Sequence, residues 1–173
     1  PVSAVGFKLF YWHGREAGAG NPWPVLRERD DVKVIHLIRQ NPVAAFVSAQ
    51  KALTASYVQM RGAKTDAGPA KIVVDVDKFR DYIVKYDEYT QRVQHEFSDR
   101  DVLTLTYETL TERTEQTIND VLVYLGCEPR SLHIQTEKQS KGNVIKRIEN
   151  LDEVAAAHRG TRWAHVPAEW SRA

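Results

Sequence analysis

The chain has 173 residues, 42% of them hydrophobic and 27% charged, with a net charge of +1. That suits a single domain over 1–173 with a core of its own, and the near-neutral balance excludes a global basic field for nucleic acid. The one cysteine, Cys127, excludes an internal disulfide framework and a cysteine-rich zinc site and favours a reducing, cytoplasmic setting, while no apolar run approaches the ~20 residues of a membrane span.

Residues 5–12, "VGFKLFYW", are rich in aromatics without helical spacing and predict a buried strand. The chain enters this run almost at once, without an initiating Met or a signal peptide, so an N-terminal portion of the domain is expected to be missing. Gly and Pro punctuate the next stretch, "HGREAGAGNPWP", as a loop, and "WPVLRERD" suits a short helix. "VKVIHLI" (32–38) is the continuous apolar run of a strand covered on both faces. Asn41 and Pro42 form a helix start, an N-cap residue followed by Pro at the first helical position. Val43, Phe46, Val47, Gln50 and Leu53 would share one face of that helix.

Residues 59–70 lack periodicity and predict a loop. Val76, Phe79, Tyr82, Ile83, Tyr86, Tyr89, Val93 and Phe97 recur at spacings of three and four, which predicts a long amphipathic helix. "DVLTLTYE" (101–108) alternates as a strand does. Thr109 with Glu112 fits a capping box, and the helix it would start ends at Gly126. The tail from residue 130 is polar and basic, with a helix expected near 151–158. Strands alternating with helices predict an α/β fold, a mainly parallel sheet with helices on both faces. Ligands of such sheets bind beyond the carboxyl ends of the strands, and Arg39 lies at one of these ends.

The helix beginning at Pro42 should offer unpaired backbone N–H groups and the positive end of its dipole to an anion. Arg39 adds a planar fork of donors suited to phosphate. Ser48 lies roughly 9–10 Å along the helix axis, so a phosphate held by both would sit beside the helix. The bland alternative pairs Arg39 with a surface carboxylate and makes Ser48 merely a small helical residue.

The run "VKVIHLIRQNPVAAFVSAQKA" resembles the segment of sulfotransferases that binds the 3′-phosphate of the sulfate donor, and is closest to bacterial carbohydrate and lipooligosaccharide-type members. Further stretches follow in the family's order. "VGFKLFYWHG" resembles its second strand, "VLTLTYETL" its "YEDL" element, "VLVYLGCEP" its "FLG" helix end, and "KQSKGNVIKRIENLDEV" the segment that closes over the donor. The resemblance covers most of residues 5–163. It implies a three-layer, P-loop-NTPase-like sulfotransferase fold with a mainly parallel central sheet flanked by helices. It also implies 3′-phosphoadenosine 5′-phosphosulfate as donor, a hydroxyl of a carbohydrate or glycolipid as acceptor, and no metal; the six histidines show no zinc-site spacing.

Carried over by position, Arg39 and Ser48 match the 3′-phosphate ligands, and Lys141 and Gly142 match a Lys-Gly element that contacts the same phosphate; the alternative for "QSKGN" is a solvated polar loop. Lys8 and His13 fall near the catalytic Lys and His of cytosolic members, the His taking the acceptor's proton, although the spacing between the two differs here. His36, inside an apolar strand, reads as a satisfied core histidine. Glu108 matches an acidic residue that is structural in the family. The family's phosphosulfate loop should precede residue 5; "REAGAGNPW" is a poor substitute, so this chain would retain half of the donor site. Loops 13–24 and 59–70 are expected to line the acceptor side.

Two other readings compete. A kinase-like nucleotide enzyme of P-loop architecture would prefer ATP with magnesium. A non-catalytic domain would bind a partner through Tyr82, Tyr86 and Tyr89 if these stand exposed. Trp163 and Trp170 fit a homodimer face as well as the domain's own core.

Overall fold

The computed structural model describes residues 4–13, 20–54, 72–133 and 144–167, with no side-chain placement for 51–54. The loop expected at 59–70, Lys141, Gly142 and Trp170 lie outside the described residues, as does the side chain of Leu53. The chain divides into two compact units, Pro1–Gln40 with Glu88–Glu137 and Asn41–Asp87 with Lys138–Ala173. Among the described residues no helix is long and apolar enough to cross a membrane.

The first unit is built on two parallel strands, β1 (Val34–Ile38) and β2 (Val102–Thr106), paired in register from Val34 with Val102 to Ile38 with Thr106. Three helices belong to it entirely: α1 (Pro22–Glu28), α4 (Tyr107–Glu112) and α5 (Thr114–Tyr124). The Asn21 side chain caps α1 by accepting the Trp23 N–H at 3.2 Å, with Pro22 at the first position. Trp23, Val93 and Phe97 form the core, with Leu9, Tyr11, Leu26, Val34 and Val102 packed against them. The Trp23 indole N–H donates to the His13 carbonyl at 2.9 Å, which gives its buried polar edge a partner. Arg100 donates to the carbonyls of Leu26 and Val32, and Tyr124 brings its hydroxyl to the carbonyls of Asp101 (2.7 Å) and Val34 (3.1 Å) at the start of both strands.

Three expectations for this unit need correction. Residues 5–12 form no strand: Leu9 and Tyr11 turn toward the core, while Val5 and Phe7 are 90% and 71% exposed. Apolar composition creates a demand for burial but cannot supply the neighbouring strand that a ladder needs. β1 is also covered on one face only. Its period of two buries His36 and leaves Ile35 and Leu37 39% and 47% exposed on the other side. Finally, Thr109 is not an N-cap. Thr106, the last residue of β2, accepts the Thr109 N–H at 3.0 Å and starts α4 one turn earlier; the helix then breaks at Arg113 before α5. The hydroxyl standing where the chain leaves the extended conformation wins the cap. The stop of α5 follows expectation. Gly126 takes φ +76°, its N–H donates to the Val123 carbonyl, and the Cys127 N–H donates to that of Leu122.

In the second unit, α2 (Pro42–Thr54) buries Val43, Phe46 and Val47, whereas Gln50 is exposed and does not extend that face. Helix α3 (Val76–Glu96) contributes Phe79, Ile83 and Tyr86 here and Val93 to the first unit, following its sequence spacing. Phe46 packs on Phe79 and Tyr82 with ring centroids at 5.6 and 5.3 Å. Tyr86 is buried against Trp163, while Tyr82 and Tyr89 are half-buried, Tyr89 stacking on Tyr11 in the first unit. No exposed tyrosine stripe remains for a partner, and Trp163, 7% exposed, serves its own unit's core. A short 3-10 turn (Val144–Arg147) leads to α6 (Leu151–Ala157), which buries Val154, Ala157 and the following His158.

The stretch before α3 is stitched to the stretch before α6. Ile72 and Ile148 form a parallel bridge, and the Asn150 amide closes a two-way pair with the Val74 backbone, accepting its N–H at 3.0 Å and donating to its carbonyl at 2.9 Å. Because Val74 is buried, losing this amide would strand both backbone groups. Asn150→Ala should therefore cost about 2 kcal/mol in urea unfolding.

His158 is fully buried on Phe79, its ring 5.1 Å from the phenyl, and Nδ1 donates to the Val154 carbonyl at 2.8 Å. Burial pushes its pKa below the ordinary 6.5; the Val154 bond opposes this and nearby His165 adds to it. The unfolded chain therefore takes up a proton that the folded one resists. The stabilisation is complete above about 6.5 and is lost as pH falls through that value toward the lower folded pKa. Thermal midpoints followed downward from neutral pH should decline below about 6.5, and His158→Leu should make that decline shallower.

Candidate functional site

In-register parallel pairing places the residues that follow Ile38 beside those that follow Thr106. Arg39 and Gln40 leave β1 as a short turn, while Tyr107 and Glu108 open α4 from the end of β2. The Arg39 guanidinium lies over the Tyr107 ring, 4.4 Å from its centroid. Its Nε is 4.0 Å from Glu108 Oε1, and the other Glu108 oxygen accepts the Gln40 N–H at 3.0 Å. The Arg39 and Glu108 side chains are 23% and 30% exposed, so this cluster sits at the surface without being fully solvated.

Magnitudes rank these contacts. A backbone N–H bonded to a carboxylate contributes about 1.5–3 kcal/mol, a cation over an aromatic ring about 0.5–2, and a partly exposed ion pair about 0–1. At 4.0 Å the Arg39–Glu108 pair is beyond hydrogen-bond distance. Glu108 thus acts chiefly on the backbone turn, and Tyr107 chiefly on the guanidinium plane. The carboxylate that the bland reading assigned to Arg39 exists, but its strong bond goes to Gln40.

The start of α2 forms as expected at Asn41 and Pro42. The Asn41 side chain accepts the Ala44 N–H at 3.0 Å, and its carbonyl accepts that of Ala45. The expectation of unpaired backbone donors here is therefore corrected for Gln40, which donates to Glu108, and for Ala44, which donates to the cap. Ser48 is exposed on α2 in the second unit, whereas Arg39 belongs to the first.

Lys8 and His13 lie on the strandless segment, not on and just after a strand. Lys8 is exposed with its ammonium 4.6 Å from the Phe10 ring centroid. His13 is exposed in a turn, its Nδ1 within 3.4 Å of the Phe10 N–H and its ring edge-on to Phe10 and Trp12. His36 is a core histidine as expected, its Nε2 2.9 Å from the Tyr11 hydroxyl. The structure gathers Arg39, Tyr107 and Glu108. Sequence reasoning overlooked Tyr107, although a parallel register ending at Ile38 and Thr106 would have paired the two strand ends.

A family model described as "Sulfotransferase domain" matches residues 21–158. No curated protein and no solved structure matches the chain. The match spans β1, α2, β2 and α4, and hence Arg39, Ser48, Tyr107 and Glu108, but it starts after Lys8 and His13. Since Thr106 caps the helix that carries Tyr107 and Glu108, Thr106→Ala should cost about 1 kcal/mol, read as a lower denaturation midpoint.

Proposed function

Because the chain belongs to the sulfotransferase family, we propose that it binds 3′-phosphoadenosine 5′-phosphosulfate and passes the sulfuryl group to a hydroxyl of a carbohydrate or glycolipid. Arg39 and Ser48 hold the donor's 3′-phosphate in this reading, with Lys141 and Gly142 adding charge and a close backbone N–H. The supporting observation is Arg39 at the carboxyl end of a parallel strand, with its guanidinium on Tyr107 and its turn held by Glu108. Parallel α/β sheets bind ligands in that region.

In the transfer, the acceptor oxygen bonds to sulfur as the bond from sulfur to the donor's phosphate oxygen breaks. The acceptor's proton passes to a base, for which His13 is proposed, and Lys8 offers its positive charge to the negative charge that develops on the leaving phosphate oxygen. Adenosine 3′,5′-bisphosphate leaves. Its 3′-phosphate is remote from the reacting sulfur, so that contact serves to anchor the donor and to distinguish it from ordinary adenine nucleotides. Under the same reading the small parallel sheet belongs to a three-layer fold flanked by helices.

Titration calorimetry with adenosine 3′,5′-bisphosphate tests the donor site. Losing a charged hydrogen-bond donor costs about 1.5–3 kcal/mol, so Arg39→Ala should weaken binding by at least about ten-fold while thermal unfolding stays near that of the wild type. Equal affinities in the two proteins would end the assignment.

A further inference from the structure

Two residues from the end of the neighbouring strand, Tyr107 and Glu108, lie against Arg39 and the peptide that follows it. We infer that Tyr107 and Glu108 are positioning residues, which set the Arg39 guanidinium for the donor phosphate before the donor arrives. This rests on the assignment of Arg39 to that phosphate.

The geometry divides the work. Glu108 Oε2 accepts the Gln40 N–H at 3.0 Å and so fixes the peptide immediately after Arg39. The Tyr107 ring lies under the guanidinium with 4.4 Å between the guanidinium carbon and the ring centroid, which limits its tilt. Immobilising a long, rotamer-rich side chain on binding costs about 0.5–1.5 kcal/mol. Residues that order it beforehand transfer that cost to folding.

The negative charge of Glu108 works against phosphate binding, because like charges brought close repel. Its positioning effect must therefore come from its shape and acceptor oxygen. That separates two variants. Glu108→Gln keeps an oxygen for the Gln40 N–H and removes the charge. Glu108→Ala removes both. At Tyr107, Phe keeps the ring and Leu removes it.

Binding of adenosine 3′,5′-bisphosphate is measured by calorimetry on each variant, on Arg39→Ala and on the Glu108→Ala/Arg39→Ala double variant, with thermal unfolding alongside. Glu108→Ala and Tyr107→Leu should each weaken binding by several-fold, while Glu108→Gln and Tyr107→Phe should retain most of the wild-type affinity. The double variant should bind no worse than Arg39→Ala, since Glu108 acts through Arg39. If Arg39→Ala weakens binding but Glu108→Ala and Tyr107→Leu do not, positioning is refuted and the donor site stands. Losses that simply add in the double variant refute it as well, as does a Glu108→Gln as weak as Glu108→Ala. If Glu108→Ala fails to fold, Glu108→Gln and the Tyr107 pair decide the matter in the same way. An Arg39→Ala protein that binds like wild type removes the donor site itself, and the positioning role with it.

Discussion

The in-register pairing of β1 with β2 decides what stands next to Arg39. Parallel strands advance together, so two that start level also end level, and whatever follows one meets whatever follows the other. Ile38 opposite Thr106 therefore brings an arginine turn against the first turn of a helix headed by Tyr107 and Glu108. A slip by one residue would put Tyr107 out of reach and turn His36 away from Tyr11. The register is held at its other end by Tyr124, whose hydroxyl reaches carbonyls at the start of both strands. One end of the pair is fastened by Tyr124, and the other carries Arg39, the proposed donor anchor.

That division explains the use of polar residues around the strands. At the fastened end Arg100 and Tyr124 donate to main-chain carbonyls, which are neutral and fixed, so their hydrogen-bonding capacity is committed to the fold. At the other end the acidic partner bonds most strongly to a backbone N–H, and the guanidinium rests on an aromatic face. An aromatic face orients the cation without cancelling its charge.

Residue patterns disclosed the helices well and the surroundings of the strands poorly. Helix α3 was legible because spacings of three and four encode its buried line directly, and α2 because Asn41 and Pro42 specify its start chemically. Residues 5–12 misled because a run of aromatics records a tendency to be buried, whereas a strand also needs a partner with matching hydrogen-bonding groups. The cap at Thr106 was missed for a related reason. Thr106 and Thr109 are chemically equivalent, and only the point where β2 ends chooses between them. Arg39 could be picked out from its place at a strand end, yet its partners lie far along the chain and become neighbours only through the register.

The family match takes in the residues proposed for the donor and not those proposed for the proton transfer. The matched segment includes β1, α2, β2 and α4, the elements that carry Arg39, Ser48, Tyr107 and Glu108. It begins beyond Lys8 and His13, which stand exposed on a segment without strand pairing. A general base must be held within hydrogen-bond reach of the hydroxyl it deprotonates, and a rigid element does this better than an unpaired segment. Arg39 is fixed by a neighbouring strand end, whereas His13 is steadied by local ring contacts and by the Trp23 bond to its carbonyl. A phosphate anchor must be rigid before the ligand arrives if it is to discriminate between nucleotides. A base that acts on an incoming hydroxyl can be completed when the acceptor binds. The two residues thus differ in how they are held, and the roles proposed for them differ in how much rigidity they need in advance.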